Sequence, residues 1–192
     1  MIAIVKYNAG NIRSVQNTLN RLGYNCLITN DADDLRNADK VIFPGVGEAN
    51  SAMKYLKNNG LDQVIKSLEQ PILGICLGLQ LMCEYSEEGN TSCLGIFPNI
   101  VKRFQGDAIV PHMGWNNLMS QKGQLFNGID ANDDLYFVHS YFAELSDYTS
   151  AVCNYIQPFS AAIEKENFYA TQFHPEKSAD IGSRILQNFL AL

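Results

Sequence analysis

Gly74-Ile75-Cys76-Leu77-Gly78 sets a cysteine between an apolar strand and a helix, with a glycine two residues away on either side. This is the pattern of a nucleophile elbow. A sharp strand-to-helix turn exposes the nucleophile, and the glycines leave room for a tight backbone and a substrate. The helix that starts after Cys76 turns the positive end of its dipole toward the sulfur, which favours a thiolate. A thiol nucleophile needs a base, and among the three histidines His174 stands out because Glu176 follows two residues later. In an extended segment positions i and i+2 share a side. The carboxylate can then orient the imidazole and stabilise its protonated form, with Pro175 stiffening the link. His112 and His139 have no acidic residue at that spacing, and His139, inside Tyr136-Phe137-Val138-His139-Ser140-Tyr141, reads as a structural histidine. Cys26, Cys83, Cys93 and Cys153 read as small buried apolar residues, the usual fate of a free cysteine. Pro44-Gly45-Val46-Gly47 is a third element of interest, since a loop between strand and helix can aim backbone N–H groups at an anionic oxygen. By itself a Pro-Gly pair is a turn.

The elements that must position these residues alternate between strand and helix through the first half. Ile2 to Val5 reads as a buried strand, and Asn11 can cap a helix whose Ile12, Val15, Leu19 and Leu22 recur at helical spacing before Gly23. Strand-like Tyr24 to Thr29 leads to an acidic loop at Asp31 to Asp34, then to the apolar run Val41-Ile42-Phe43 closed by Pro44-Gly45. Ala49, Ala52, Met53 and Leu56 mark a helix that ends at Gly60; Pro71 opens the strand Ile72 to Ile75, and Leu79, Leu81 and Met82 lie on the helix after Cys76. Such alternation predicts a parallel sheet covered on both faces, with the strand ends at 43 and 75 on the carboxyl edge where sites collect. The second half is β-rich near Gly95 to Phe104, Leu135 to His139, Ala151 to Tyr155 and Phe159 to Ile163, which predicts antiparallel additions. A last strand, Tyr169 to Phe173, delivers His174, and Ile181, Ile185, Leu186 and Phe189 form a closing helix. The expected fold is α/β, a three-layer sandwich around a central, mostly parallel mixed sheet, with residues 1–192 as a single domain.

Composition narrows the function. With 46% apolar residues in 192, the chain can bury a sizeable core. A net charge of −6 disfavours nucleic acid, whose affinity comes from clustered cations. Five scattered cysteines, with no pair spaced as in a zinc or redox motif, point to a reducing compartment and no metal. No apolar run approaches membrane-spanning length and the amino terminus turns polar within six residues, so a cytoplasmic protein is expected.

Together, Pro44-Gly45-Val46-Gly47, Gly74-Ile75-Cys76-Leu77-Gly78-Leu79-Gln80 and Phe173-His174-Pro175-Glu176 resemble the class I, or triad, glutamine amidotransferases. Pro111-His112-Met113-Gly114-Trp115-Asn116, Tyr136 to Tyr141 and His174-Pro175-Glu176-Lys177-Ser178 further resemble the glutaminase subunits of imidazole glycerol phosphate synthases, across essentially the whole chain. The resemblance implies a cofactor-free thioester mechanism: Cys76 attacks glutamine, His174 protonates the departing ammonia, and Glu176 orients His174. It places the oxyanion hole at Val46, Gly47 and Leu77, and substrate contacts at Gly45, Gln80, Glu88, Ser140 and Tyr141. It also implies a heterodimer in which a TIM-barrel cyclase subunit receives the ammonia, with Asn11, Trp115, Tyr136 and Lys177 near the shared face. Two other readings fit the same motifs: a glutaminase subunit feeding another synthase, such as one aminating a surface sugar, and a non-catalytic binding module of the same fold.

Overall fold

Apolar runs four to six residues long become strands here, and most of their polar connections become helices. The computed structural model describes residues 1–192. In chain order its first half carries β1 (Ile2–Val5), α1 (Ile12–Arg21), β2 (Cys26–Thr29), α2 (Ala32–Arg36), β3 (Lys40–Gly45), α3 (Ala49–Asn58), α4 (Leu61–Lys66), β4 (Ile72–Cys76) and α5 (Leu77–Met82). Then come β5 (Tyr85–Ser86), β6 (Thr91–Ser92), β7 (Ile100–Arg103), β8 (His112–Asn116), β9 (Ser120–Gln121), β10 (Leu135–His139) and β11 (Tyr141–Ala143). The chain finishes with β12 (Thr149–Tyr155), β13 (Gln157–Lys165), β14 (Phe168–Thr171) and α6 (Ala179–Leu190).

An eight-stranded sheet runs β2-β1-β3-β4-β14-β13-β12-β9. From β2 to β14 neighbouring strands are parallel; β13, β12 and β9 extend the sheet antiparallel. β8 and β10 form a separate antiparallel ribbon, and β11, β7, β5 and β6 a small four-stranded sheet.

Side-chain alternation along the strands divides the core in two. Ile2, Ile4, Ile42, Leu73 and Ile75 face one side, where Val15 and Leu19 of α1 and Ile185, Leu186 and Phe189 of α6 complete a cluster of 25 buried residues. Ala3, Val5, Val41, Phe43 and Ile72 face the other, packed against α3, α4 and α5 in a cluster of 29. Helices on both faces of one mixed sheet make the expected three-layer sandwich. Each fully buried Ile, Leu or Phe in it contributes roughly 1.5–3 kcal/mol.

The structure departs from the sequence reading at several places. Asp31 to Asp34 is no loop: Asp31 caps α2, its side chain accepting from the N–H groups of Asp33 and Asp34 at 2.9 and 3.1 Å. Acidic residues there complement the helix N-terminus. Gly60 follows α3 as expected but, at φ 69°, also turns the chain directly into α4, which the sequence reading lacks. His112–Asn116 is a strand, β8. The last strand ends at Thr171, so His174 stands beyond it. Asn11 occupies the N-cap position of α1 at φ 73° without capping it. No helix is long and apolar enough to cross a membrane.

Candidate active site

Gly45 of β3 and Cys76 of β4 end adjacent parallel strands in register, so the loop after β3 and the cysteine meet at the carboxyl edge. Cys76 adopts φ 53° and ψ −103°, a strained conformation for a residue with a side chain, which costs about 1–3 kcal/mol. Surrounding packing holds it there. A Cβ on Gly78 would lie 1.9 Å from the carbonyl oxygen of Phe43, so only glycine lets α5 sit this closely on β3. A Cβ on Gly45 would lie 2.0 Å from the Tyr7 hydroxyl.

His174 reaches the sulfur from β14, the strand beside β4. After Thr171, paired with Ile75, the chain leaves the sheet and the His174 N–H donates to Tyr136 O of β10 at 2.9 Å. Residues Pro175–Lys177 then form a 3-10 turn. The pairing of His174 with Glu176 is therefore made by a turn, and not by an extended segment with positions i and i+2 on one side. Ser178 fastens the turn, its hydroxyl donating to His174 O at 2.7 Å and accepting from Tyr136 N at 2.9 Å. His174 is fully buried, and its Nδ1 donates to Glu176 Oε1 at 2.7 Å. Its Nε2 has no hydrogen-bond partner, and Cys76 is the charged group that acts on the ring most strongly. Burial alone lowers the imidazole pKa. The proximity of Cys76, together with the Glu176 carboxylate, outweighs burial and pushes it up to about 10. An imidazolium beside a sulfur nucleophile can hold a thiolate and give its proton to a leaving amine.

A cavity of about 270 Å³ opens over Cys76. Val46, Gly47, Leu77, Gln80, Glu88, Ser140 and Tyr141 line it with Cys76; His174, Glu176 and Gly45, the last expected as a substrate contact, do not line it. It falls just below the ~300–1,000 Å³ of drug-sized ligand sites, a size suited to a single amino acid. Within it, the Gln80 amide nitrogen is occupied, donating to Tyr141 O at 2.9 Å and Gln172 Oε1 at 3.2 Å, so Gln80 can offer a ligand its oxygen. Glu88 accepts from the Ala49 N–H of α3 at 2.8 Å, and burial raises its carboxyl pKa.

The family model of the class-I glutamine amidotransferases matches residues 3–192. The chain belongs to the class-I glutamine amidotransferases. It is 58% identical to the imidazole glycerol phosphate synthase subunit HisH of Bacteroides fragilis (strain YCH46), over all of this chain and 99% of that relative. Identity to the subunit of the same name from Vibrio cholerae is 45%, over all of this chain and 98% of that one. A solved glutamine amidotransferase from Thermotoga maritima superposes with a TM-score of 0.66 at 16% identity, covering 99% of this chain and 82% of that one, a likeness of fold.

Two further residues of this amidotransferase reach the site without announcing themselves in its motifs. Asn11, expected at a partner face, turns its amide inward onto Glu176 Oε1, and lies 3.4 Å from His174 Nδ1. Gln172, fully buried, donates from Nε2 to the Cys76 sulfur at 3.6 Å. His139, read from the sequence as structural, is buried in a hydrogen-bonded chain and also lines the cavity. Its Nδ1 donates to Tyr141 O at 2.8 Å, its Nε2 accepts from His112 Nδ1 at 3.0 Å, and His112 Nε2 accepts from Asn116 at 3.3 Å. That chain of donors assigns both imidazoles as neutral. Burial lowers the pKa of His112 to about 4 and of His139 to about 3. On the outer side of the β8–β10 ribbon, Trp115 is 55% exposed and packs edge-on against Tyr136 at 5.7 Å, while Lys177 lies over the same tyrosine ring at 5.7 Å.

Proposed function

We propose that this amidotransferase hydrolyses glutamine through a thioester on Cys76 and passes the ammonia to a cyclase subunit of TIM-barrel fold, which makes imidazole glycerol phosphate and an aminoimidazole carboxamide ribotide in histidine biosynthesis. The observation that carries the reading is a buried His174, fixed by Glu176 at 2.7 Å, with Cys76 and Glu176 outweighing burial to push its pKa up to about 10. The sulfur attacks the carboxamide carbon. Collapse of the adduct breaks the C–N bond, and His174 gives its proton to the departing ammonia. Neutral His174 then takes a proton from the water that attacks the thioester, and the C–S pair returns to sulfur. The backbone N–H of Leu77 and those of Val46 and Gly47 receive the oxyanion, each donor contributing about 3–4 kcal/mol. Gly45 lets that loop approach. The free oxygens of Gln80 and Glu88 suit the substrate ammonium; Ser140 and Tyr141 suit its carboxylate.

Identity of 58% to a HisH subunit supports the histidine pathway. Exposed Met113 and Trp115, with Tyr136 and Lys177 beside them, suit the docking face for the cyclase, with Asn11 behind it. A single cytoplasmic domain suits five free cysteines. The test is glutamate release by the purified chain, alone and with a cyclase subunit plus its ribulosyl substrate or product. Stimulation by the loaded partner is expected, and Cys76→Ser abolishes release while partner binding persists. Hydrolysis that no cyclase stimulates would overturn the pathway reading, and turnover by C76S would remove Cys76 from the chemistry.

A further inference from the structure

We propose that Gln172 is a further catalytic residue, whose side-chain amide donates to the Cys76 sulfur and stabilises the negative charge that the sulfur carries before attack and on leaving the thioester. Three observations converge on it. The amide nitrogen lies 3.6 Å from the sulfur, within the range of an N–H···S contact. The amide orientation is fixed by its neighbours: Gln172 Oε1 accepts from Gln80 Nε2 at 3.2 Å, and that nitrogen also donates to Tyr141 O at 2.9 Å. Turning the Gln172 amide over would set two N–H donors face to face, so the donor must point at sulfur. Finally, Gln172 is fully buried and its backbone N–H is held by Ala161 O of β13 at 2.8 Å, so the donor is preorganised where water cannot compete.

The contact acts at two moments of the cycle. Before attack the sulfur shares its charge between the His174 imidazolium and the Gln172 amide. In the second half the tetrahedral adduct of water and thioester expels sulfur with the C–S electron pair, and the same amide receives the returning charge while the proton of the water goes to His174. Gln172 does not line the cavity; it touches the sulfur directly and glutamine only through Gln80, whose amide keeps its bond to Tyr141 O when Gln172 is replaced.

This inference rests on Cys76 being the nucleophile. The experiment measures kcat, KM and the rate of Cys76 alkylation by iodoacetamide, read by peptide mass spectrometry, in wild type and Gln172→Met together with the cyclase partner. Q172M keeps the length of the side chain and removes the donor. The expected result is a kcat lower by about tenfold, the worth of one charge-assisted hydrogen bond, with KM within about twofold. Alkylation slows by only about threefold, because the loss of the donor makes the thiolate about tenfold scarcer while the more basic thiolate that remains is the stronger nucleophile. Wild-type kcat and alkylation in Q172M, or a raised KM at unchanged kcat, would overturn the role. Turnover in C76S would sink the nucleophile itself, so the two failures are distinct. Should Q172M not fold, the side-chain amide protons of Gln172 provide the test in the otherwise intact protein. They are expected downfield and to move upfield in Cys76→Ala; identical positions in both proteins would overturn the proposal.

Discussion

One carboxylate oxygen of Glu176 accepts two hydrogen bonds, from His174 and Asn11, and the other is buried without a partner. Glu176→Gln can therefore keep both contacts through its amide oxygen and lose only the charge. Its kcat is expected to fall by about tenfold, against the 10²–10⁴-fold that removing an acid-base group, the role proposed for His174, costs. Steady-state kinetics of E176Q and H174A compare them directly, and equal losses would give Glu176 a larger part than orientation. Asn11 offers a finer test. At φ 73° it tolerates a left-handed conformation that glycine also adopts freely, so Asn11→Gly removes the amide without straining the backbone. About a threefold loss of kcat with an unchanged melting temperature is expected; unchanged kcat would make the Asn11 contact idle. The position of Cys76 at a strand-to-helix turn and the pairing of His174 with Glu176 were legible in the sequence because each signal is local, a cysteine between glycines and a glutamate two residues from a histidine. Asn11 and Gln172 were not, because their partners stand 165 and 96 residues away and only the folded sheet brings them together.

At the scale of elements, the turn carrying His174 is clamped between β10 and α6. A Cβ on Gly182 of α6 would lie 1.9 Å from Pro175 O, so the helix can rest on the turn only with glycine there. Gly182→Ala must push the two apart. The expected cost is about 1–3 kcal/mol, with about 2–4 °C of melting temperature lost per kcal/mol. Because the turn moves with α6, kcat is expected to fall with stability; a G182A protein as active and as stable as wild type would show the contact to be slack. Elements built on sustained periodicity were readable in advance: β1, β3 and β4 as unbroken apolar runs, α1 and α6 as helical stripes. Those that escaped lack such a pattern. β5, β6 and β9 are two residues each, too short for alternation to register. α4 follows α3 across a glycine that also reads as a stop, and β8 holds Gly114 and a buried histidine where an apolar run would be expected.

Across the whole molecule, the pair His112 and His139 ties stability to pH. Both are held neutral by burial, with pKa values near 4 and 3 against the ordinary 6.5. The unfolded chain binds protons there that the folded chain refuses, so stability is lost as pH falls below about 6.5, by up to about 1.4 kcal/mol per pH unit for each histidine. His174 runs the other way: raised to about 10, it contributes fully below pH 6.5 and loses that contribution as pH rises through 10. Urea midpoints at pH 7 and pH 5 are expected to drop on the acid side; equal midpoints would mean that the pair is protonated in the fold.

β14 lies inside the sheet, parallel to β4 on one side and antiparallel to β13 on the other, although it is the last strand in the chain. During synthesis the ribosome delivers β4 and β13 first, so a growing chain holds two unpaired edges until residues 168–171 emerge to fill the gap between them. Such edges are sites of aggregation, so this sheet is most exposed in the interval between the synthesis of β13 and the docking of β14. The same order of events leaves Cys76 without His174 until then, so on the proposed mechanism a nascent chain cannot hydrolyse glutamine before residues 174–176 have joined the fold.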